Sequence, residues 1–237
     1  MDTINSQRRR VLLSMGAGGV AWLAWRATWQ PASAATSPAC VITPEQMEGP
    51  YFVDEMLNRA DIRTDPADGT TVSGIPLQLQ LRIHAVNGTT CTPLPKALVD
   101  IWHCDANGVY SGVQDSSFDT VGKKFLRGHQ ITDSEGNVTF TTIYPGWYPG
   151  RTVHIHVKVR VDTADGKAQE FTSQLYFDDA FTDEVYKLAP YNSREARFPR
   201  NDGDGIFRRA NGDKLLLQLA GDASGYIASL DIGMAVG

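Results

Sequence analysis

The stretch YPGWYPGRTVHIHVKVRV, residues 144–161, sets two histidines two positions apart among aliphatics, directly after a turn that carries tyrosines and an arginine. In a strand, successive side chains point to opposite faces. Val153, Ile155, Val157, Val159 and Val161 therefore share the core side, and His154, His156, Lys158 and Arg160 share the face not needed for packing. Neighbouring imidazoles on one face can hold a metal ion, although a solvated or hydrogen-bonded pair has the same pattern. Two phenols stand nearby in the sequence. Tyr148 lies in the PGWYPG turn, where Tyr144 and Trp147 compete with it, and Tyr110 ends a strand in DIWHCDANGVYSG, where asparagine and glycine bend the chain. Of the other histidines, His84 reads as a solvated polar-face residue. His103, on a face with Val99 and Ile101, reads as a satisfied core histidine, and His129 in GHQ keeps an open role.

These residues need a scaffold, and the alternation supplies one. From Ile75 onward Leu77, Leu79, Leu81 and Ile83 alternate with Gln78, Gln80, Arg82 and His84, the pattern of a half-buried strand. Similar runs follow at KALVDIWHC, FLRGHQIT, NVTFTTI, TVHIHVKVRV, EFTSQLYF, DKLLLQLA and GYIASLDIGM. Turn sequences such as Asn87-Gly88, Asn107-Gly108, Asp165-Gly166 and Asn211-Gly212 separate them. About eight short strands with such turns predict an all-β fold, an antiparallel β-sandwich with long loops. Only DDAFTDEVYKLAP reads as a helix, capped by Asp178 or Asp179 and stopped by Pro190. The charged loop from Tyr191 to Gly212 is long enough to lie over another part of the molecule. Residues 35–72 are turn-rich and read as an extended N-terminal arm, with the β-domain spanning 73–237.

The first 34 residues differ from the rest. Arg8, Arg9 and Arg10 precede an apolar run diluted by glycine and alanine, then Pro31 and Ala32-Ser33-Ala34, an export signal resembling the twin-arginine class. This predicts passage through the twin-arginine (Tat) export machinery and a periplasmic or secreted location, with retention by an uncleaved N-terminal anchor as the alternative. The whole chain of 237 residues has 22 Lys and Arg against 27 Asp and Glu; without residues 1–34 the balance is 18 against 26. An acidic protein of this kind excludes nucleic acid as a partner, since that binding needs a basic footprint. Cys40, Cys91 and Cys104 lie beyond the signal, so one disulfide and one free thiol are expected, with the pairing open.

Taken together, EGPYF at 48–52, VDIWHCDANGVYSG, RGHQITDSEGNVTFTTIYPGWYPGR, HIH and SQLYF resemble, in order and over most of the exported chain, the intradiol ring-cleavage dioxygenases, which include protocatechuate and catechol dioxygenases. The resemblance implies a non-haem Fe(III) held by Tyr110, Tyr148, His154 and His156. It also implies Arg151 and Tyr148 in catalytic roles and Tyr51 and Gln174 beside the substrate. The implied substrates are a catechol and O2, the ring being opened between its hydroxyl-bearing carbons to a cis,cis-muconate-type diacid. On the family pattern Tyr148 leaves the metal as the diol binds and acts as its base, and Arg151 stabilises carbanion character on the ring. The donor types agree with this on chemical grounds. Phenolates are hard anionic donors suited to ferric iron, and a phenol with a reference pKa of about 10 needs a strong local cation to ionise at neutral pH.

Three departures from the aromatic-degrading members stand out. Only five residues separate Tyr148 from His154, which implies a more open pocket. The long helical N-terminal region that resembles a dimer-forming module is absent, so dimerisation by that route is not expected, and any oligomer is left unspecified. Export points to external catechols. The rival reading is a non-catalytic exported prealbumin-like or carbohydrate-binding β-sandwich, which has the same strand rhythm but no need of Tyr110, Tyr148, His154 and His156 together. A second rival keeps the site and loads copper or zinc.

Overall fold

The computed structural model describes residues 41–162, 166–222 and 224–236. Alternation in the sequence becomes strand β1, Pro76–Asn87, with Leu77, Leu79, Leu81 and Ile83 buried and Pro76, Gln78 and Gln80 exposed. Strands β2 (Thr90–Pro93), β3 (Leu98–Trp102), β4 (Arg127–Ile131), β5 (Asn137–Ile143), β6 (His154–Asp162), β7 (Ala168–Tyr176), β8 (Gln218–Asp222) and β9 (Gly225–Ala235) follow. One sheet runs β2-β1-β9-β8, with β5 also paired to β1; the other runs β4-β3-β6-β7. Aliphatic and aromatic side chains of both sheets meet in one buried cluster that includes Leu79, Phe140, Ile232, Val99, Val157 and Phe171.

Three expectations need correction. Nine strands are present among the described residues, against about eight expected; TCTP of β2 is too short and too polar to show alternation. The pairing is mostly antiparallel, but β1 and β9 run parallel, from Leu77 opposite Tyr226 to Val86 opposite Ala235. His84, expected in solvent, is buried, with its Nε2 3.6 Å from Asp231 Oδ1. The helix was legible. α1 (Asp179–Val185) begins where the Asp178 carboxylate accepts from Phe181 N, and ends before Pro190. The loop expected to cover something holds a second short helix, α2 (Gly205–Arg209), capped by Asp204.

The outer face of the second sheet is covered. Between residues 41 and 75 the chain forms no strand or helix, only bridges such as Asn58 to His129 and Asp61 to Thr141. It is tied down across β7 and β6: Gln46 N donates to Thr172 O at 2.9 Å and Ser173 Oγ to Pro44 O at 2.7 Å, while Lys158 pairs with Glu48 and Arg160 with Asp54. The face of β6 read as unneeded for packing is therefore interior, and His154 and His156 are 2% and 1% exposed.

His103 is the satisfied core histidine its strand position implied. Its Nδ1 lies 2.8 Å from Cys104 O and its Nε2 2.7 Å from Thr142 Oγ1, and burial holds its pKa down to about 4. The unfolded chain takes up a proton near pH 6.5 that the folded chain refuses until about pH 4. His103 therefore makes stability fall as pH drops through that window, by about 3 kcal/mol at its lower end. Urea midpoints measured at pH 7 and 4.5 should show this decline, and an acid-independent midpoint would contradict it.

Candidate metal centre

Local sequence explains how the four donors meet. β6 carries His154 and His156, whose side chains point the same way because they are two apart. Past the end of β3, Asp105 Oδ1 accepts from Asn107 N (2.8 Å) and Val109 N (2.9 Å), folding DANGV into a tight turn that presents Tyr110. Gly108 is required there, since its φ is +87° and a Cβ would lie 2.3 Å from Trp147 O. The same close approach brings the 144–151 turn alongside, where Pro149-Gly150 reverses the chain between Tyr148 and Arg151.

At the centre, His154 Nε2 lies 3.1 Å from His156 Nε2 and 3.2 Å from Tyr148 Oη. His154 Nδ1 is 2.6 Å from Thr152 O; a carbonyl only accepts, so Nδ1 carries the proton and Nε2 presents a lone pair to the centre. The Tyr110 ring sits edge-on to Tyr148 at 5.6 Å and to His156 at 6.1 Å. Its hydroxyl is fully buried and, beyond its approach to the Tyr148 hydroxyl, makes no hydrogen bond of good geometry among the described residues. Of the three competing aromatics in the turn, Tyr148 is the one against the histidines. Tyr144 is a core residue bonded to Thr182 Oγ1, and Trp147 stacks under the Arg194 guanidinium.

The other predicted residues divide. Arg151 Nε donates to Asp204 Oδ2 at 2.8 Å, its Nη2 donates to Gln174 Oε1, and its Nη1 is 3.5 Å from His154 Nε2. Gln174 is wholly buried, with its Oε1 also accepting from Tyr176 Oη and its Nε2 donating to Met47 O. It stands behind Arg151, with both ends of its amide used by the protein. Tyr51 is half-buried, stacks on Tyr110 at 4.6 Å and donates to Asp115 Oδ2. His129 is buried on β4, outside this group, under Asn58.

Three contributors were not identified from sequence. Asp204 has no exposed surface; besides Arg151 it accepts from Thr152 N (3.0 Å), Ile206 N (2.7 Å) and Phe207 N (3.2 Å). Burial alone would raise its pKa, but Arg151 and these amides outweigh it and hold the carboxylate ionised. DGDGIF does carry a helix-cap signature that could have found it. Arg127, buried on β4, donates to Ser111 Oγ, Ser111 O and Tyr51 O, bracing the segment after Tyr110. Trp102 lies opposite His156 across the β3/β6 pair. Cys104 is free and buried, Cys91 is disulfide-bonded, and Cys40 lies outside the described residues.

Burial dominates the electrostatics. It pushes the phenols of Tyr110 and Tyr148 well above the ordinary range; the neighbouring Tyr148 adds to the cost of ionising Tyr110, whereas Arg151 favours ionisation of Tyr148. Burial and then Arg151 lower His154 to about 3; burial and then His154 lower His156 further. At neutral pH the isolated protein thus offers two neutral imidazoles and two protonated phenols. A multivalent cation reverses the cost of ionising those phenols. The donors gathered here are two imidazoles and two phenols, and no group of three or more His, Cys, Asp or Glu that could hold a metal ion is found among the described residues. Such a donor set fits ferric iron.

A dioxygenase family model matches residues 47–192. The chain belongs to the intradiol ring-cleavage dioxygenase family. It is 27% identical over 161 residues to the chlorocatechol 1,2-dioxygenase of Pseudomonas putida, covering 60% of this chain and 54% of that protein. The chain spans about half the length of the curated relatives it matches. Two solved structures cover more of it. The intradiol ring-cleavage dioxygenase from Tetranychus urticae is 33% identical with a TM-score of 0.72 over 83% of this chain and 95% of that one. The dioxygenase domain of a dioxygenase and carbohydrate-binding protein fusion from Streptomyces sp. SirexAA-E is 31% identical, with a TM-score of 0.58 over 83% and 100%.

Proposed function

We propose that the protein is an intradiol dioxygenase that opens a catechol-type ring with O2, both oxygen atoms entering a cis,cis-muconate-type diacid. The reading has Fe(III) held by Tyr110, Tyr148, His154 and His156. One observation carries it: two imidazole Nε2 atoms 3.1 Å apart share a buried centre with the Tyr148 phenol at 3.2 Å and the buried Tyr110 phenol. A non-catalytic binding sandwich gives no reason for this group. Iron(III), when bound, supplies the Lewis acidity that ionises phenols and a chelated diol and the electronic link to O2.

The protein's own residues then have distinct tasks. Tyr148, on the turn and 3.2 Å from His154, is the base that takes a diol proton. Tyr110, more deeply buried, stays in place under the Tyr51 ring, and Tyr51 forms a wall for the substrate. Arg151 presents its guanidinium to negative charge building on the ring. Gln174 serves that arginine, holding Nη2 from behind. The scaffold is read as a mostly antiparallel sandwich over 73–237, preceded by an arm at 35–72.

The purified protein should be reddish from phenolate-to-iron charge transfer, bleach on anaerobic reduction, contain iron and consume O2 with members of a catechol panel. A colourless, iron-free wild type after careful preparation would overturn the reading. Residues 1–34 lie outside the described residues. We propose that they direct Tat export, so a double Arg8→Lys, Arg9→Lys variant should accumulate inside the cell, and its normal appearance in the periplasm or medium would refute that route.

A further inference from the structure

The two histidines are oriented by different physics. His154 is fixed by a hydrogen bond, Nδ1 to the Thr152 carbonyl at 2.6 Å. Metal-binding histidines almost always use their second nitrogen in this way, which sets both tautomer and ring rotation. His156 does not: its Nδ1 is buried and has no hydrogen-bond partner among the described residues. Its ring instead lies flat on the Trp102 indole, at 4.8 Å between centroids and 6° between planes.

That stack is built into the sheet. Trp102 and His156 are direct partners in the antiparallel β3/β6 register, so their side chains rise from the same face side by side. The Trp102 ring is itself immobilised, 1% exposed and packed on Phe52 at 4.8 Å. Gly49 of the covering segment also lies close to the imidazole. Gly49 has a φ of +77°, and a Cβ there would lie 3.3 Å from His156 Cε1.

We propose that Trp102 is the positioning residue of His156, and that with the Gly49 backbone it clamps the imidazole at the rotation that turns Nε2 toward the centre. The proposal rests on reading His156 as an iron ligand. It assigns to an apolar plane the task that a carbonyl performs for His154. Because the clamp is packing and not a hydrogen bond, its strength depends on a flat, rigid partner and on the absence of a side chain at position 49.

The test compares Trp102→Met, flexible and without a plane, with Trp102→Phe, which keeps one, and with Gly49→Ala. The iron-loaded full-length proteins are challenged with excess EDTA; iron release is followed by the loss of charge-transfer absorbance, and melting of each iron-free protein is measured alongside. Trp102→Met and Gly49→Ala should lower iron affinity about 10- to 100-fold, with a displaced absorption band, while Trp102→Phe stays near wild type. A plain loss of core packing would affect melting of the Met and Phe variants without separating their iron affinities. Wild-type affinity in Trp102→Met, or equal losses in Met and Phe, overturns the clamp. If Trp102→Met does not fold, wild-type retention in Gly49→Ala overturns it. His156→Ala separates the two readings: full iron retention there refutes the ligand assignment, whereas its loss together with intact Trp102→Met and Gly49→Ala sites refutes only the clamp.

Discussion

Replacing Tyr110 with phenylalanine is expected to abolish colour and ring cleavage while leaving the iron-free protein as stable as wild type or more so. The phenol oxygen is fully buried and, beyond its approach to the Tyr148 hydroxyl, makes no hydrogen bond of good geometry among the described residues, so in the absence of a cation its desolvation is poorly compensated. Removing such a group relieves about 1–3 kcal/mol of desolvation cost. The ring's contacts with Tyr51, Tyr148 and His156 survive the change. With the hydroxyl gone, the centre has one phenol and two imidazoles, and a ferric ion loses one of its two hard anionic donors. Iron content and oxygen uptake should fall below detection in a protein whose melting temperature has not dropped. Wild-type turnover in Tyr110→Phe would remove this tyrosine from the ligand set. A large drop in melting temperature would show that its hydroxyl has a structural partner.

How much of this was legible in the sequence depended on whether the relevant signal was local. The strand at β1 was readable because leucine and glutamine alternate within one element, and the Asp178 cap of α1 because cap and helix are adjacent. The alternation of β6 gave His154 and His156 a shared face, but it was the resemblance to the dioxygenase family that joined them to Tyr110 and to Tyr148, one of three aromatics in its turn. Burial of the histidines was not legible. The chain that covers them, near Pro44 to Asp54, is about a hundred residues away, and the alternation of β6 looks the same with or without a lid. For the same reason the parallel β1–β9 pairing joins the two ends of the β-domain without any local trace. His84 illustrates the converse error. Its strand position implied solvent, but alternation breaks there, with Ile83 and His84 both buried.

Loss of the Asp204 carboxylate should cost both stability and turnover. Asp204 joins the loop after α1 to the metal centre: one oxygen caps α2 through Ile206 N and Phe207 N, and the other receives Thr152 N and Arg151 Nε. In Asp204→Ala a largely buried guanidinium loses its carboxylate partner, which costs about 3–5 kcal/mol for a buried pair. Arg151 then has only Gln174 to hold it, and a displacement of about 1 Å at a charge that acts on the reacting ring is worth roughly 10²-fold in rate. The fall should appear in kcat more than in KM. Iron content should stay close to wild type, because His154 keeps its bond to the Thr152 carbonyl. Asp204→Asn separates the two tasks. One amide oxygen can still cap α2, so melting should recover in part, but the neutral side chain cannot pair with Arg151 and kcat should remain low. A normal kcat in Asp204→Asn would mean that Arg151 needs no carboxylate, and that Asp204 serves the fold alone.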